Sequence, residues 1–312
     1  MESTYKTKIL FFGMPDMALV CLSKLVQEGL NVIGVVPPHC SDPTYNLMCQ
    51  YTNNCGLNII NYEKSLDEPD FLNKIKILNA DVGIVCSYNR KFPPALLKAV
   101  RGGIINCHPS LLPDYRGGNP YSNVILNGEK ETGITLHYMD ENFDTGNIIW
   151  QRKVAISSKE TMGTLFNKQN YIAADMIAEF FKKYETNPNP VSTPQPQGDF
   201  KKAPVIDNKK YQNYINWRES AEKIERFIRA LNPFISAIST FRGIFVKIYS
   251  ADVVHKKAKY PPGAVCYAKD VLGVATGDGI LEIKTLQFGS YMITDAKEFI
   301  NTFKPQPGET LR

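Results

Sequence analysis

The stretch from Ile104 to Ile149 brings together residue types that could carry out acyl chemistry. Asn106 and His108 end a strand-like run, and because they are two residues apart their side chains point to the same face. Asp144 follows in a later loop. An amide and an imidazole can donate hydrogen bonds to an oxyanion, and a carboxylate can orient the imidazole or relay a proton. The pattern predicts acyl transfer without a covalent enzyme intermediate, with Asn106, His108 and Asp144 as catalytic residues.

Each of these residues also has an ordinary structural explanation. A histidine beside a strand is commonly a satisfied core residue, and Asp144 followed by Thr-Gly is a common turn sequence. Leu111-Leu112-Pro113 fits a core segment followed by a chain-breaking proline. Residue types and spacing alone therefore leave both interpretations open.

Alternating strands and helices must position these side chains. The predicted strands of the first half are Lys8–Phe12, Val32–Val36, Val82–Cys86 and Ile104–His108. Helical spacing of apolar residues lies between them, so we predict βαβ units and an α/β fold with a Rossmann-like, mostly parallel sheet. Ligands bind such sheets at the carboxyl ends of the strands. A strand at Thr132–Met139 and a long amphipathic helix at Thr161–Tyr184 follow.

A proline-rich stretch, Thr186–Pro204, predicts an interdomain connection. We expect a catalytic domain over residues 1–185, a linker over 186–204 and a second domain over 205–312. The second domain is predicted to begin with a helix at Ser220–Leu231. Its later short strands, separated by turn signals, predict a small OB-like β-barrel.

Composition narrows the protein class. The chain has 312 residues, of which 43% are hydrophobic and 21% charged, which excludes disordered and collagen-like chains. We expect a cytoplasmic enzyme, because no signal peptide and no apolar run long enough for a membrane span is present. We also expect a monomer or a homodimer. The seven cysteines form no C-x-x-C pair, so neither a disulfide framework nor a metal site is predicted.

The net charge of +5 resides in the C-terminal part of the chain. From Val205 onward there are 16 Lys and Arg against 11 Asp and Glu. A basic surface for a partner would therefore lie in the second domain. A few solvated lysines explain the same charge equally well.

The stretch that contains Asn106 and Asp144 resembles the signature of the 10-formyltetrahydrofolate-dependent formyltransferases. This family includes methionyl-tRNA formyltransferase and domains that act on nucleotide-linked amino sugars. The matching residues are, in order, Asn106, His108, Ser110, Leu111, Leu112, Pro113, Tyr115, Arg116, Gly117, Thr132, Gly133, Asp144, Thr145 and Gly146. Shorter matches at Phe11–Pro15, 215–217, 228–233 and 275–280 extend the resemblance over nearly the whole chain.

The resemblance implies that 10-formyltetrahydrofolate is the formyl donor and that a primary amine is the acceptor, with no metal. Asn106 and protonated His108 would stabilise the oxyanion. Asp144 would hold His108 in its charged form, which a neighbouring carboxylate favours, and would help remove the amine proton through water. Contacts to the folate are expected from Ser110, Leu111, Leu112, Pro113, Tyr88, Arg90, Met139 and Asp140. Contacts to the acceptor are expected from Gly13, Pro15, Tyr115, Arg116, Tyr121 and Asn123.

Three features favour methionyl-tRNA as the acceptor. They are the complete second domain, its positive charge and the lysine cluster Lys256, Lys257 and Lys259 on a predicted loop. Lysines neutralise the phosphates of a bound nucleic acid. A solvated loop would carry the same lysines without any partner.

Other features favour a small amine. Pro37–Glu63 contains no lysine or arginine, whereas the corresponding loop is basic in relatives that act on tRNA. Cys86–Arg90 is closer to the pattern of amino-sugar relatives, and Tyr121 and Asn123 suit a small polar substrate. We therefore predict a nucleotide-linked amino sugar as the acceptor, with methionyl-tRNA as the alternative. A non-catalytic nucleic-acid-binding module is a remote alternative, because Asn106 and the other two catalytic residues are all intact.

Overall fold

The computed structural model describes residues 3–210 and 212–312. The described residues fall into two compact units. The first is drawn from Met1–Pro120, Glu131–Ala155 and Asn167–Ala203, and the second from Tyr121–Lys130, Ile156–Phe166 and Pro204–Arg312.

The strands and helices are numbered in chain order. The strands are β1 (Ile9–Gly13), β2 (Val32–Val36), β3 (Val82–Cys86), β4 (Ile104–His108), β5 (Glu131–Tyr138), β6 (Ile148–Ala155), β7 (Ala237–Phe241), β8 (Ile244–Val254), β9 (Val265–Ala268), β10 (Leu272–Ala275), β11 (Ile280–Phe288) and β12 (Thr294–Asp295). The helices are α1 (Met17–Gln27), α2 (Tyr45–Asn54), α3 (Pro69–Leu78), α4 (Pro94–Leu97), α5 (Pro120–Leu126), α6 (Met162–Tyr184), α7 (Ala221–Leu231) and α8 (Ala296–Phe303).

The sheet of the first unit has the order β2-β1-β3-β4-β5-β6. The pairs β1–β2, β1–β3 and β3–β4 are parallel, and β4–β5 and β5–β6 are antiparallel. The prediction of an α/β fold with a mostly parallel sheet is confirmed. Strands β1 and β3 are buried along their whole length, which is why they are continuous apolar runs rather than alternating ones.

The long helix α6 buries two polar side chains, Gln169 and Asn170, among its apolar residues. Gln169 is buried, and its amide Nε2 donates hydrogen bonds to Gly133 O at 2.7 Å and Pro109 O at 3.2 Å. The Gln169 amide therefore anchors β5 and the loop after β4. Both lie next to Asn106 and His108 of β4.

The second unit contains an antiparallel sheet of order β7-β8-β11-β10-β9, with β12 paired to β11. Residues near the C-terminus join its two edges, since Leu311 bridges Phe241 of β7 and Thr310 bridges Ala264 just before β9. This pairing covers both sheet edges, as a barrel requires. The predicted OB-like β domain is thereby confirmed. Helix α7 begins after Ser220, whose hydroxyl accepts from Lys223 N.

The compact units differ from a simple division along the sequence. Residues 121–130 and 156–166 group with the second unit, where Ser122 Oγ donates to Ala230 O at 2.6 Å and Gly163 N donates to Asn232 O at 3.0 Å. Most of the proline-rich stretch predicted as a linker groups with the first unit. The domain boundaries at 185 and 205 stay a prediction.

Candidate active site

Strand β4 carries Asn106 and His108 on one face. Its backbone pairs with β3 on one side and β5 on the other, with Asn106 opposite Val85 and His137, and His108 opposite Thr135. Asn106 is half-buried, whereas His108 is only 4% exposed. Two flanking strands fix the backbone of β4, so the directions of both side chains are set by the sheet.

Asp144 lies in the hairpin loop between β5 and β6, in a left-handed backbone conformation with φ of 58°. Two features of this loop explain its sequence. Thr145 Oγ1 donates to the Asp140 carboxylate, at 2.6 Å and 2.9 Å to its two oxygens. A Cβ at Gly146 would lie 1.9 Å from Tyr138 O, so only glycine fits there. The Asp-Thr-Gly sequence thus closes the loop and directs the Asp144 carboxylate toward β4.

The three predicted catalytic side chains meet at one carboxylate. Asp144 Oδ1 lies 3.5 Å from His108 Nδ1, and the Asn106 amide Nδ2 donates to the same oxygen at 3.4 Å. Asp144 Oδ2 accepts from Gly117 N at 3.0 Å. On its other side the His108 ring donates from Nε2 to Tyr115 O at 2.9 Å. Both ring nitrogens of His108 therefore face oxygen acceptors.

His137 is a fourth member of the cluster, and the sequence analysis missed it. Its Nδ1 donates to Tyr138 O at 2.8 Å, so that Nε2 can accept from Asn106 Nδ2 at 3.1 Å. Burial lowers the pKa of His137 to about 4, and the charge of His108 acts in the same direction. A neutral His137 therefore orients the Asn106 amide at neutral pH. His137 lies on β5 directly opposite Asn106, so the pairing of β4 with β5 would have revealed this residue.

The loop after β4 is held by the Thr135 hydroxyl. This hydroxyl donates to Ser110 O at 2.6 Å and accepts from Leu112 N at 3.2 Å. Gln151 Nε2 donates to Leu112 O at 2.8 Å. A Cβ at Gly133 would lie 2.3 Å from the Leu111 side chain, which explains why glycine follows Thr132.

A cavity beside the cluster contains several of the residues predicted to contact folate. Tyr88, Arg90, Met139 and Asp140 line it together with Asn106 and Asp144. Its remaining lining residues are Val85, Lys91, Phe92, His137, Asn142 and Phe143. Ser110, Leu111, Leu112, Pro113 and His108 are outside this lining set. The lining is mixed, with five apolar or aromatic side chains and seven polar or charged ones, as in sites that hold a ring and hydrogen-bond its edge.

The Tyr88 side chain is fixed at the wall of this cavity. Its hydroxyl donates to Pro37 O at 2.7 Å, and its ring packs edge-on against Phe12 and Phe92. Burial raises the pKa of the Tyr88 hydroxyl well above its usual value. Tyr88 is therefore a neutral wall residue rather than a proton carrier.

The residues predicted to contact the acceptor lie in both units. Gly13 is buried, where a Cβ would meet the Ala18 side chain at 2.4 Å, and Pro15 follows in the turn after β1. Tyr115 is buried and its carbonyl holds His108. Arg116 donates to Gln195 Oε1 from Nε at 3.1 Å.

Tyr121 and Asn123 belong to α5 within the second unit. Tyr121 is buried, and its ring packs edge-on against Phe166 with centroids 5.0 Å apart. Asn123 Nδ2 donates to Pro204 O at 3.0 Å. Contact with an acceptor stays a prediction for both residues.

The described chain outside positions 1, 2 and 211 has no cluster of three or more His, Cys, Asp or Glu residues able to hold a metal ion. Every helix among the described residues, 3–210 and 212–312, is too short or too polar to span a membrane.

An amide, an imidazole and a carboxylate gathered beside β4 of an α/β sheet are a combination that suits acyl-group transfer. Comparison with known proteins narrows this class. A family model described as "Formyl transferase" matches residues 7–179, and one described as "Formyl transferase, C-terminal domain" matches residues 208–304. The chain belongs to the formyl transferase family and is a folate-dependent one-carbon transferase.

Similar full-length proteins have a consistent name. The chain is 35% identical over 307 residues to the methionyl-tRNA formyltransferase of Thermodesulfovibrio yellowstonii, covering 96% of this chain and 97% of that one. It is 34% identical over 287 residues to the methionyl-tRNA formyltransferase of Clostridioides difficile, covering 90% and 92%. A solved N-formyltransferase from Helicobacter canadensis, in complex with folinic acid and dTDP-3-aminofucose, superposes with a TM-score of 0.65 at 19% identity. That match covers 89% of this chain and 98% of that one.

Proposed function

We propose that this chain transfers the formyl group of 10-formyltetrahydrofolate to the amino group of methionyl-tRNA. The observation that carries the proposal is the similarity over both domains to methionyl-tRNA formyltransferases, at 31–35% identity in the best matches. The likeness to the amino-sugar enzyme, at 19% identity, supports the fold alone. The sequence-based preference for a nucleotide-linked amino sugar therefore gives way to its alternative.

The preference for a small amine depended on the missing lysines and arginines of Pro37–Glu63. Part of that stretch is helix α2, on which Met48 and Thr52 are the buried residues. Positive charge lies elsewhere, since Lys256, Lys257 and Lys259 are exposed between β8 and β9. Exposed lysines on a loop suit the phosphates of tRNA. An amino sugar stays the second candidate acceptor, favoured by the absence of lysine and arginine from Pro37–Glu63.

The donor supplies an electrophilic formyl carbonyl when it binds. Tyr88, Arg90, Met139 and Asp140 would hold the pterin ring in the cavity that they line. The Asn106 amide would release its long 3.4 Å bond to Asp144 Oδ1 and donate that N–H to the formyl oxygen as negative charge develops there. His137 keeps this amide in orientation.

The same cluster would manage the proton of the attacking amine. Asp144, between His108 and Asn106, would accept the proton through water and pass it to the folate nitrogen that carried the formyl group, as the bond from that nitrogen to the formyl carbon breaks and tetrahydrofolate leaves. A positive charge on His108, which lies beyond the Asp144 carboxylate, would stabilise the negative charge that develops on the formyl oxygen. The amine of methionyl-tRNA must reach the reaction unprotonated, because only its lone pair can attack the carbonyl.

An acceptor comparison tests the proposal. Initial rates are measured with 10-formyltetrahydrofolate and either charged initiator tRNA or a panel of nucleotide-linked amino sugars. We expect kcat/KM for methionyl-tRNA to exceed that for every sugar by about 100-fold or more. Uncharged tRNA is the control for non-specific binding. A sugar that reacts faster than methionyl-tRNA would overturn the proposed acceptor and leave formyl transfer intact.

A further inference from the structure

The segment from Thr193 to Ala203, predicted as part of a linker, runs beside both loops of the active site. Thr193 pairs with Ile148, next to the Asp144 loop, through two backbone hydrogen bonds of 2.8 Å. At the other end Ala203 N donates to Arg116 O at 2.8 Å, and Tyr115 N donates to Lys201 O at 2.6 Å. The segment therefore contacts the two loops that lie on either side of His108.

Gln195 joins these two loops with a single side chain. Its Oε1 accepts from Arg116 Nε at 3.1 Å and from Arg116 Nη2 at 2.5 Å. Its Nε2 donates to Asp144 O at 2.9 Å and to Gly146 O at 2.8 Å. Gln195 is 8% exposed, in a stretch whose other residues are mostly exposed.

These bonds hold Asp144 where its backbone conformation is unfavourable. Asp144 has a positive φ, a conformation that is uncommon for non-glycine residues and is stabilised here by the contacts of the loop. Gln195 fixes the Asp144 carbonyl, while Gly117 N holds the carboxylate. The carboxylate is the group that faces His108 Nδ1.

The chemistry of an amide explains why glutamine is required. Arg116 needs an acceptor, and the carbonyls of Asp144 and Gly146 need donors. Among side chains, only the amides of glutamine and asparagine carry an acceptor and two donors together. A glutamate at this position would keep the bond to Arg116 and lose both donors.

We propose that Gln195 is a positioning residue for formyl transfer, which it supports by clamping the Asp144 loop to the Arg116 loop. The proposal rests on the function given above, specifically on the roles of His108 and Asp144. Gln195 itself lies outside the residues that line the cavity. Its loss should lower kcat, with a smaller effect on KM for the folate donor.

Two variants distinguish the effect of the Gln195 hydrogen bonds on catalysis from an effect on the stability of the whole fold. Gln195→Met keeps the size of the side chain and loses every hydrogen bond, and Gln195→Glu keeps the acceptor for Arg116. Gln197→Ala is the matched control, because it removes an exposed glutamine from the same segment. Rates are compared with the wild type on whichever acceptor the wild type uses best. Hydrogen exchange of peptides covering residues 139–148 is followed in parallel without any acceptor.

We expect kcat to fall roughly 10- to 100-fold in both Gln195 variants, because a misplaced catalytic group costs about that factor. KM for the donor should change by less than about threefold, and exchange in 139–148 should accelerate. Full activity in Gln195→Glu would overturn the proposal, because it would show that the donated bonds are dispensable. Equal losses in Gln197→Ala, or unchanged exchange, would also overturn it. Failure of the tRNA assignment alone would leave the variant-to-wild-type ratios unaffected.

Discussion

The polar cluster of Asn106, His108 and Asp144 in the first unit and the β8–β9 loop of the second unit differ in how far their polar and charged groups are exposed to solvent. Asn106, His108 and Asp144 are wholly or partly buried, and Asn106 Nδ2 and His108 Nδ1 each lie within 3.5 Å of Asp144 Oδ1. Lys256 and Lys259 are exposed on a loop. Buried polar groups must be paired and act over short distances, whereas exposed charges act over longer ones and are screened by salt.

The contrast between the buried cluster and the exposed lysines shows which kind of site can be identified from a sequence. A buried catalytic set constrains residue type, spacing and the glycines around it, as at Gly133 and Gly146. A basic loop constrains only net charge, which many solvated surfaces also carry. Formyl transfer could therefore be predicted from the sequence, whereas the proposed acceptor rests on similarity to relatives over both domains.

Removing the oxyanion donor should have the largest effect. Asn106→Ala is expected to lower kcat by about 100- to 1,000-fold, the usual cost of one such donor. Steady-state kinetics at saturating donor and acceptor measure this loss. Asn54→Ala, at an exposed amide at the end of α2, is the matched control and should keep full activity. Near-normal kcat in a folded Asn106→Ala protein would remove this residue from the mechanism.

Removing the lysines should affect acceptor binding alone. The triple variant Lys256→Ala, Lys257→Ala, Lys259→Ala is expected to lower kcat/KM for methionyl-tRNA roughly tenfold, because phosphate contacts are lost. Its KM for the folate donor should stay unchanged. A double variant of two other exposed lysines in the second unit, Lys269→Ala with Lys297→Ala, is the control. Equal losses in both variants would mean that the loop has no special role.

His137 should make stability depend on pH. Its pKa is lowered to about 4 in the folded protein, against about 6.5 when unfolded, so the unfolded state binds the proton more readily. Stability is therefore retained above pH 6.5 and lost as pH falls toward 4, by on the order of 3 kcal/mol. Urea unfolding at several pH values measures this slope. His137→Gln should flatten it, and an unchanged slope would contradict a neutral, buried His137.

Regular elements of the fold were predictable, and irregular contacts were not. The observed bounds of β4, Ile104–His108, match the prediction, because a buried strand is marked by its apolar run. Helix α2 was not predicted, since its sequence is mostly polar and only Met48 and Thr52 are buried. The antiparallel strand β6 was also missed, because this edge strand has only one fully buried residue and lacks an apolar run that marks a buried strand.

The candidate site likewise contains residues that could be predicted from the sequence and residues that could not. Asn106 and His108 share a face because strand geometry alternates side chains, so their meeting followed from spacing. The part played by His137 required the pairing of β5 with β4, which local sequence does not contain. Gln195 is farther still along the chain, and its position in a proline-rich stretch indicated a linker rather than a contact with Asp144.

The salt dependence of methionyl-tRNA formylation tests the separation of chemistry from acceptor binding most directly. Both kcat and kcat/KM are measured for the wild type over a series of salt concentrations at saturating folate donor. We predict that log kcat/KM falls linearly with log salt, with a slope of about −2 or steeper, while kcat stays nearly constant. A kcat/KM that does not respond to salt would contradict a phosphate-binding loop and a tRNA acceptor together.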